Sequence, residues 1–242
     1  MKGTTLITGA GRRIGRAIAI ALAEDGYRIA IHYHHSQKDA EATLDAIRKA
    51  GGEGALFPCD LQNSEEIQQL IPTVIGRFPD LCVLINNASV FERADLSATT
   101  PDLFDRHMNI HVKAPFLLIQ AFAAHCKEGQ IINILDTKIN QNLTSYFAYS
   151  LSKKSLHNLT QLTAKALAPS IRVNGIAPGL ILPAAQDSEE QFQRMGEKIP
   201  LRRTGDAEDI VQTVRFFLRS NFITGEVIHV DGGEHLLKEG AR

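Results

Sequence analysis

Tyr149 and Lys153 stand four residues apart, and an acid, Asp136, stands thirteen positions before the tyrosine. On a helix, positions i and i+4 share a face, so an ammonium would lie beside a phenol of ordinary pKa about 10. A nearby positive charge favours the phenolate and brings the phenol towards proton transfer near neutrality. A carboxylate in the same place does the opposite. It repels a developing oxyanion and raises the phenol pKa. It also accepts hydrogen bonds from amino and ring N–H groups and, when protonated, can relay a proton. Asp136, Tyr149 and Lys153 are therefore expected to titrate as a coupled set.

A second stretch suits phosphate. Thr8-Gly9-Ala10-Gly11-Arg12-Arg13-Ile14-Gly15 follows a short β-rich run and opens a helical pattern. Small residues let the backbone approach a pyrophosphate, and the helix start supplies free N–H groups and the positive end of a dipole. The blander reading of the glycines is a tight packing turn. The second strand-like run leads into His32-Tyr33-His34-His35-Ser36-Gln37-Lys38, with no acid before Asp39. An NAD site ordinarily places an acid there for the ribose hydroxyls. Here a 2′-phosphate would meet His34, His35 and Ser36, with Arg12 close by and Lys38 assisting, so NADP(H) is the expected cofactor. Asp60-Leu61 is placed to meet the adenine. In Asn86-Asn87-Ala88-Ser89, Asn86 is expected to be structural and Asn87 to face the cofactor.

These groups need a scaffold that brings strand ends together. Short apolar runs (4–8, 28–33, 54–59, 81–85, 130–135, 171–176, 227–230) alternate with amphipathic ones (14–22, 37–50, 64–76, 101–126, 146–167, 206–218). That alternation predicts an α/β fold, a Rossmann-type doubly wound parallel sheet with helices on both faces. Right-handed crossovers would gather the strand C-terminal ends on one rim, where the glycine-rich and polar residues cluster. The weakly periodic stretch of about 180–205 reads as a substrate loop, or mobile short helices, over that rim. Phe192 and Met195 are candidates to line it, and Gln186, Asp187 and Glu189 make it polar.

Composition agrees with a single soluble domain over residues 1–242. The chain is 44% hydrophobic and 22% charged, with 26 basic and 27 acidic side chains giving a net charge of -1. No strong field draws it to nucleic acid or anionic lipid. No apolar run approaches the roughly 20 residues of a membrane span, and the N-terminus enters a strand at once, so a cytoplasmic location is expected. Cys59, Cys82 and Cys126 are scattered and odd in number, which argues against a disulfide framework. No metal-ligand spacing occurs. His107, His111, His125 and His157 are expected on the surface or on helix faces.

Taken in order, the Thr8–Gly15 loop, Asn86-Asn87-Ala88, Asn109, Tyr149 with Lys153, Pro178-Gly179 and the Gly225 to Gly233 pattern resemble the short-chain dehydrogenase/reductase family over nearly the whole chain. The resemblance implies that Tyr149 is the proton donor or acceptor. It implies that Lys153 lowers the tyrosine pKa and holds the nicotinamide ribose, and that Asn109 anchors a water chain to the lysine. Pro178, Gly179 and Ile181 would hold the nicotinamide. Most members have serine where this chain has Asp136. That departure, with Arg12-Arg13, His32 to Ser36 and Ser89-Val90-Phe91, is similar to the pteridine reductase branch, which includes dihydromonapterin reductases. The branch implies that Arg13 reaches pyrophosphate and substrate, that Ser89 touches the cofactor and borders the substrate with Leu180, and that Phe91 stacks on a pterin. Relatives often carry arginine in place of His35. Paired long helices would make a homotetramer. The reaction implied is hydride transfer from NADPH to a C=N bond of a dihydropterin (dihydromonapterin, dihydrobiopterin or a dihydrofolate). Two alternatives stay open: an NADP-linked reductase of a 3-oxoacyl thioester or quinone, and a non-catalytic NADP(H)-binding sensor or scaffold.

Overall fold

The computed structural model describes residues 2–184 and 188–237. Its core is a single seven-stranded parallel sheet in the order β3-β2-β1-β4-β5-β6-β7. The strands are β1 (Thr4–Ile7), β2 (Arg28–Tyr33), β3 (Gly54–Pro58), β4 (Leu81–Asn86), β5 (Gly129–Ile134), β6 (Ile171–Pro178) and β7 (Val227–Val230). The helices between them are α1 (Arg13–Glu24), α2 (Gln37–Lys49), α3 (Ser64–Arg77), α4 (Pro101–Met108), α5 (Ala114–His125), α6 (Phe147–Leu167), α7 (Glu189–Gly196) and α8 (Ala207–Arg219).

The strands read as continuous apolar runs because both faces are covered. In β4, Val83 and Ile85 face a core shared with α1, α2 and α8, through Ile18, Leu44 and Val214. Leu84 between them faces a second core with α3 and α5, through Ile71 and Phe122. Period-two alternation thus serves two hydrophobic layers at once. β1 pairs with β2 on one side and β4 on the other. The chain order reverses there, and the crevice that opens at such a switch point is where an α/β sheet holds its ligands.

One expectation is revised, and one is narrowed to a short helix. The single helix expected over 101–126 is interrupted by a π-helical turn, Asn109–Lys113, in which the Ala114 N–H donates to the Asn109 carbonyl. Pro115, in the first turn of α5, has no N–H to return to residue 111 and its ring crowds that carbonyl, so the helix widens there. In the loop region, α7 forms with a full capping box between Ser188 and Gln191. Phe192 is buried in the body of the protein and Met195 is half-buried, while Glu189 is exposed. Gln186 and Asp187 lie outside the described residues. No helix among the described residues is long and apolar enough to cross a membrane.

Candidate active site

The glycine-rich loop joins β1 to α1. Gly9 sits at φ 65°, in the left-handed region. A Cβ on Gly15 would lie 2.4 Å from the Gly9 carbonyl oxygen and 2.5 Å from Asn87 Nδ2, so nothing larger than hydrogen fits. The first amides of α1 donate no hydrogen bond to the side chain of its N-cap residue, Arg12, which has no acceptor to offer. Amides left without a side-chain cap are the donors an anion site at a helix start requires. Arg12 and Arg13 are exposed, Ile14 is half-buried, and a Cβ on Gly11 would meet the backbone of Ala40 at 3.1 Å. The Arg13 guanidinium donates to the Pro183 carbonyl at 2.9 Å and so straps the loop after β6 to this end.

His32 has a part that its sequence position did not reveal. It is buried, takes a hydrogen bond from the Gly9 N–H on Nδ1 at 3.0 Å, and contacts the Cys59 carbonyl through Nε2 at 3.0 Å. Burial lowers its pKa to about 4, which keeps the ring neutral with the proton on Nε2. His32 is thus a strut joining the ends of β1, β2 and β3. His34 and His35 beside it are exposed, with ring centroids 3.5 Å apart, and half-buried Ser36 leads into α2. Asp60 stands 3.8 Å from His34. Leu61, expected at the adenine, is 7% exposed and packs in the core instead.

Asn87 has more than its expected part. Its amide nitrogen donates to the carbonyls of Thr8 and Gly9, while Thr8 Oγ1 accepts from the Asn87 and Ala88 N–H groups. Its NH2 group therefore ties β4 to the glycine loop, a structural bond that its position did not announce. Asn86 is structural as expected, donating to Asn133 at 2.8 Å in the interior.

Asp136 follows β5 and has one oxygen for each of the two roles a strand-end acid could take. Oδ1 accepts from the Lys138 N–H at 2.7 Å and caps a 3-10 turn, Thr137–Asn140. Oδ2 accepts from the Tyr149 hydroxyl at 2.6 Å. Tyr149 lies in the first turn of α6, with Lys153 one turn on. Both are buried. The Lys153 ammonium donates to the Ile134 carbonyl at 2.8 Å and lies 5.8 Å from the Tyr149 ring.

This arrangement corrects the expectation of a lysine-lowered phenol. Burial, then the charge and hydrogen bonding of Asp136, push the Tyr149 pKa well above its ordinary value. Burial likewise raises Asp136, although the Tyr149 and Lys138 hydrogen bonds and the Lys153 charge pull the other way. Burial lowers Lys153 to about 8, with Asp136 opposing the shift. The site holds a neutral phenol against a carboxyl that protonates more readily than usual.

Phe91 is 46% exposed. One face stacks on Tyr146, with ring centroids 4.4 Å apart and planes 12° from parallel, and it meets Tyr149 edge-on at 4.8 Å. Tyr146 was not singled out in the sequence, although its place three residues before Tyr149 is a usable signal. Asn109 is half-buried in the π-helical turn. Its residue borders an outward groove with Met108, Val112, Lys113, Phe116 and Leu159. His111 takes the inner position: buried, 5.5 Å from the Tyr149 ring, and 2.8 Å from both Ser89 Oγ and Ser152 Oγ. His107 is also buried, 5.5 Å from His111. Of the two places expected, surface or helix face, both histidines take a helix face, and it is one turned inward. His125 is exposed and His157 half-buried. Ser89 itself is exposed at the rim.

The far side of the site comes from the C-terminal strands. Pro178 ends β6, the Gly179 N–H donates to the Val230 carbonyl, and a Cβ on Gly179 would lie 2.6 Å from the Asp231 side chain. Leu180 is half-buried and Ile181 buried. Asp231 accepts from Thr137, and Glu234 pairs with Lys138, so the turn begun by Asp136 is held from the end of β7.

Residues 9–235 match a family model described as Enoyl-(Acyl carrier protein) reductase. The chain is 32% identical, over 98% of its length, to the whole of the 3-oxoacyl-(acyl-carrier-protein) reductase FabG of Staphylococcus epidermidis. It is 33% identical to that of Staphylococcus aureus, covering 98% of this chain and 99% of the other. Among solved structures, FolM alternative dihydrofolate reductase 1 from Brucella suis in complex with NADP is 37% identical. It superposes with a TM-score of 0.94 over 98% of this chain and 96% of that one.

Proposed function

The chain belongs to the short-chain dehydrogenase/reductase family, and from that premise we propose that it is an NADPH-dependent reductase acting on the C=N bond of a dihydropterin. The observation that carries this reading is the 2.6 Å hydrogen bond from the Tyr149 hydroxyl to Asp136. A carboxyl in that place opposes the growth of negative charge on a carbonyl oxygen. It favours a substrate that presents N–H groups and accepts a proton on nitrogen.

NADP(H) fits the residues at the other end. The uncapped start of α1, the Cβ-intolerant Gly15 and the exposed Arg12, His34, His35 and Ser36 suit a pyrophosphate and a 2′-phosphate. A structure with NADP bound, that of the Brucella suis enzyme, supports the same assignment. Gly9, Gly11, Arg13, Ile14 and Ala88 complete the cradle, Asp60 meets the adenine side, and Pro178, Gly179 and Ile181 border the nicotinamide. When bound, the reduced nicotinamide supplies a hydride.

The chain's residues do the rest. Phe91 keeps one aromatic face free for a flat ring, since Tyr146 covers the other. Asp136 accepts N–H groups of the ring and, with its raised pKa, delivers a proton to the ring nitrogen as the adjacent carbon receives hydride. Tyr149 holds that carboxyl in place through its hydroxyl and donates to the carboxylate left when the proton has gone to the ring nitrogen. Lys153 keeps a positive charge beside the pair below pH 8 or so. Ser89, Arg13 and Leu180 border the substrate, under a loop of about residues 180–205. We assign the protein to the cytosol as a homotetramer.

A second reading draws on the curated relatives, which are 3-oxoacyl-(acyl-carrier-protein) reductases. NADPH oxidation with dihydromonapterin, dihydrobiopterin and dihydrofolate, set against an acetoacetyl thioester, separates the two. Turnover of the pterins, abolished in Asp136→Ser, is the expected result. Turnover of the thioester alone would replace the pterin reading.

A further inference from the structure

His111 has no part in the reading above, yet it sits where the strand-end wall and the helix of Tyr149 meet. Its Nε2 is 2.8 Å from Ser89 Oγ and receives the Val90 N–H at 3.3 Å. Its Nδ1 is 2.8 Å from Ser152 Oγ. Ser152 donates its hydroxyl hydrogen to the Tyr149 carbonyl at 2.8 Å.

These contacts fix the tautomer from both ends. Because Ser152 has spent its only hydrogen, the bond to His111 must come from an Nδ1–H. Because the Val90 N–H points at Nε2, that nitrogen must carry a lone pair. A proton on Nε2 would set two N–H groups against each other. The neutral ring thus donates towards α6 and accepts from the segment after β4.

The hydroxyl of Ser89 follows from this. Its hydrogen goes to His111 Nε2, since the other acceptor within reach, the Val90 carbonyl, is 3.4 Å away. At the exposed rim, Ser89 Oγ is then left with lone pairs and no hydrogen to offer. Phe91 begins two residues later on the same segment and packs edge-on against Tyr149.

We infer that His111 is a positioning residue that locks Ser89–Phe91 to α6 and turns Ser89 into an obligate acceptor, selecting ligands that bring an N–H to that wall. The inference deepens the pterin reading and rests on it for the identity of the ligand. It adds that the Ser89 wall is acceptor-only at its hydroxyl, so an amino-bearing heterocycle finds a partner there while a bare carbonyl finds none.

The test is a double-mutant cycle with His111→Leu, Ser89→Ala and the pair, plus His111→Gln, whose amide keeps a donor and an acceptor. KM and kcat for a dihydropterin are measured with NADPH affinity and thermal midpoint alongside. His111→Leu and Ser89→Ala are each expected to raise KM about tenfold. The double variant should be no worse than His111→Leu alone, and His111→Gln should recover most of the loss. NADPH affinity should move less than the pterin KM. Losses that multiply in the double variant, or a Gln variant as poor as Leu, would overturn the coupling. If wild-type protein reduces only an acetoacetyl thioester, the pterin reading fails on its own. The Ser89–His111 coupling is then read from the thioester KM, where the acceptor-only wall predicts no effect of Ser89→Ala, and a tenfold effect would overturn it.

Discussion

The two ends of the rim recognise their partners by different physics. Around the glycine loop the site is made of backbone: a left-handed Gly9, a Gly15 with no room for a methyl, and amides at the start of α1. Around β4 to β6 it is made of titratable side chains, Asp136, Tyr149 and Lys153, each displaced by burial from its ordinary pKa. Backbone recognition is steric and indifferent to pH. Side-chain recognition depends on where protons sit. Substitutions at the first end should therefore change binding at all pH values, and those at the second should change rate profiles.

The sharpest test is Tyr149→Phe. It removes the hydroxyl that Asp136 holds, and kcat is expected to fall about a thousandfold, while NADPH affinity by fluorescence titration stays within about threefold. Comparable losses in both would erase the distinction between the two ends.

Asp136→Asn comes next, with kcat/KM for the dihydropterin down about a hundredfold. Its more telling effect is on pH dependence. Lys153 loses its charge as pH rises through about 8, and the Asp136 carboxylate is what holds that value up. Without the carboxylate the lysine deprotonates earlier, so the alkaline limb of log kcat/KM should move to lower pH. An unmoved limb would mean that the two groups do not communicate.

At the backbone end, Gly15→Ala forces a methyl to within 2.4 Å of the Gly9 carbonyl. Overpacking of this kind costs about 1–3 kcal/mol. The expected outcome is a lower thermal midpoint and weaker NADPH binding, both unchanged between pH 6 and 8 or so.

His32→Leu gives the smallest effect and probes the exception, a titratable group inside the backbone-built end. It leaves the Gly9 N–H and the Cys59 carbonyl without their partner, at about 1–2 kcal/mol near neutrality. Burial holds the folded His32 at about 4, against 6.5 for the free side chain. Between those values the unfolded chain binds more protons, so wild-type stability should fall as pH drops from 6.5 towards 4. Urea titrations of the leucine variant should show a flatter acid limb.

The same contrast explains what the sequence could disclose. Backbone recognition leaves glycines and strand-to-helix punctuation, so the Thr8–Gly15 loop and the parallel sheet were legible from spacing and apolar runs. The Asp136–Tyr149 pair was legible because both lie beside element boundaries. What escaped depended on which way a side chain turns inside an irregular helix. Pro115 forces a π turn, and the extra residue carries Asn109 outwards and His111 inwards, a rotation that a uniform helical period cannot register. His32 escaped because a strand's alternation does not say which polar residue finds two buried partners. Leu61 was assigned outward by position alone, when packing had already engaged it, and the position of Asn87 did not announce its bond to the Thr8 carbonyl.

The bonds from Thr137 to Asp231 and from Lys138 to Glu234 bridge 94 and 96 positions of sequence. A ribosome adding about 5–20 residues per second needs on the order of ten seconds to travel that distance. The catalytic turn is therefore made early and fastened late. A nascent chain stopped after Val230 is expected to load nucleotide yet reduce nothing, so a half-made enzyme cannot spend reductant before its closing segment arrives.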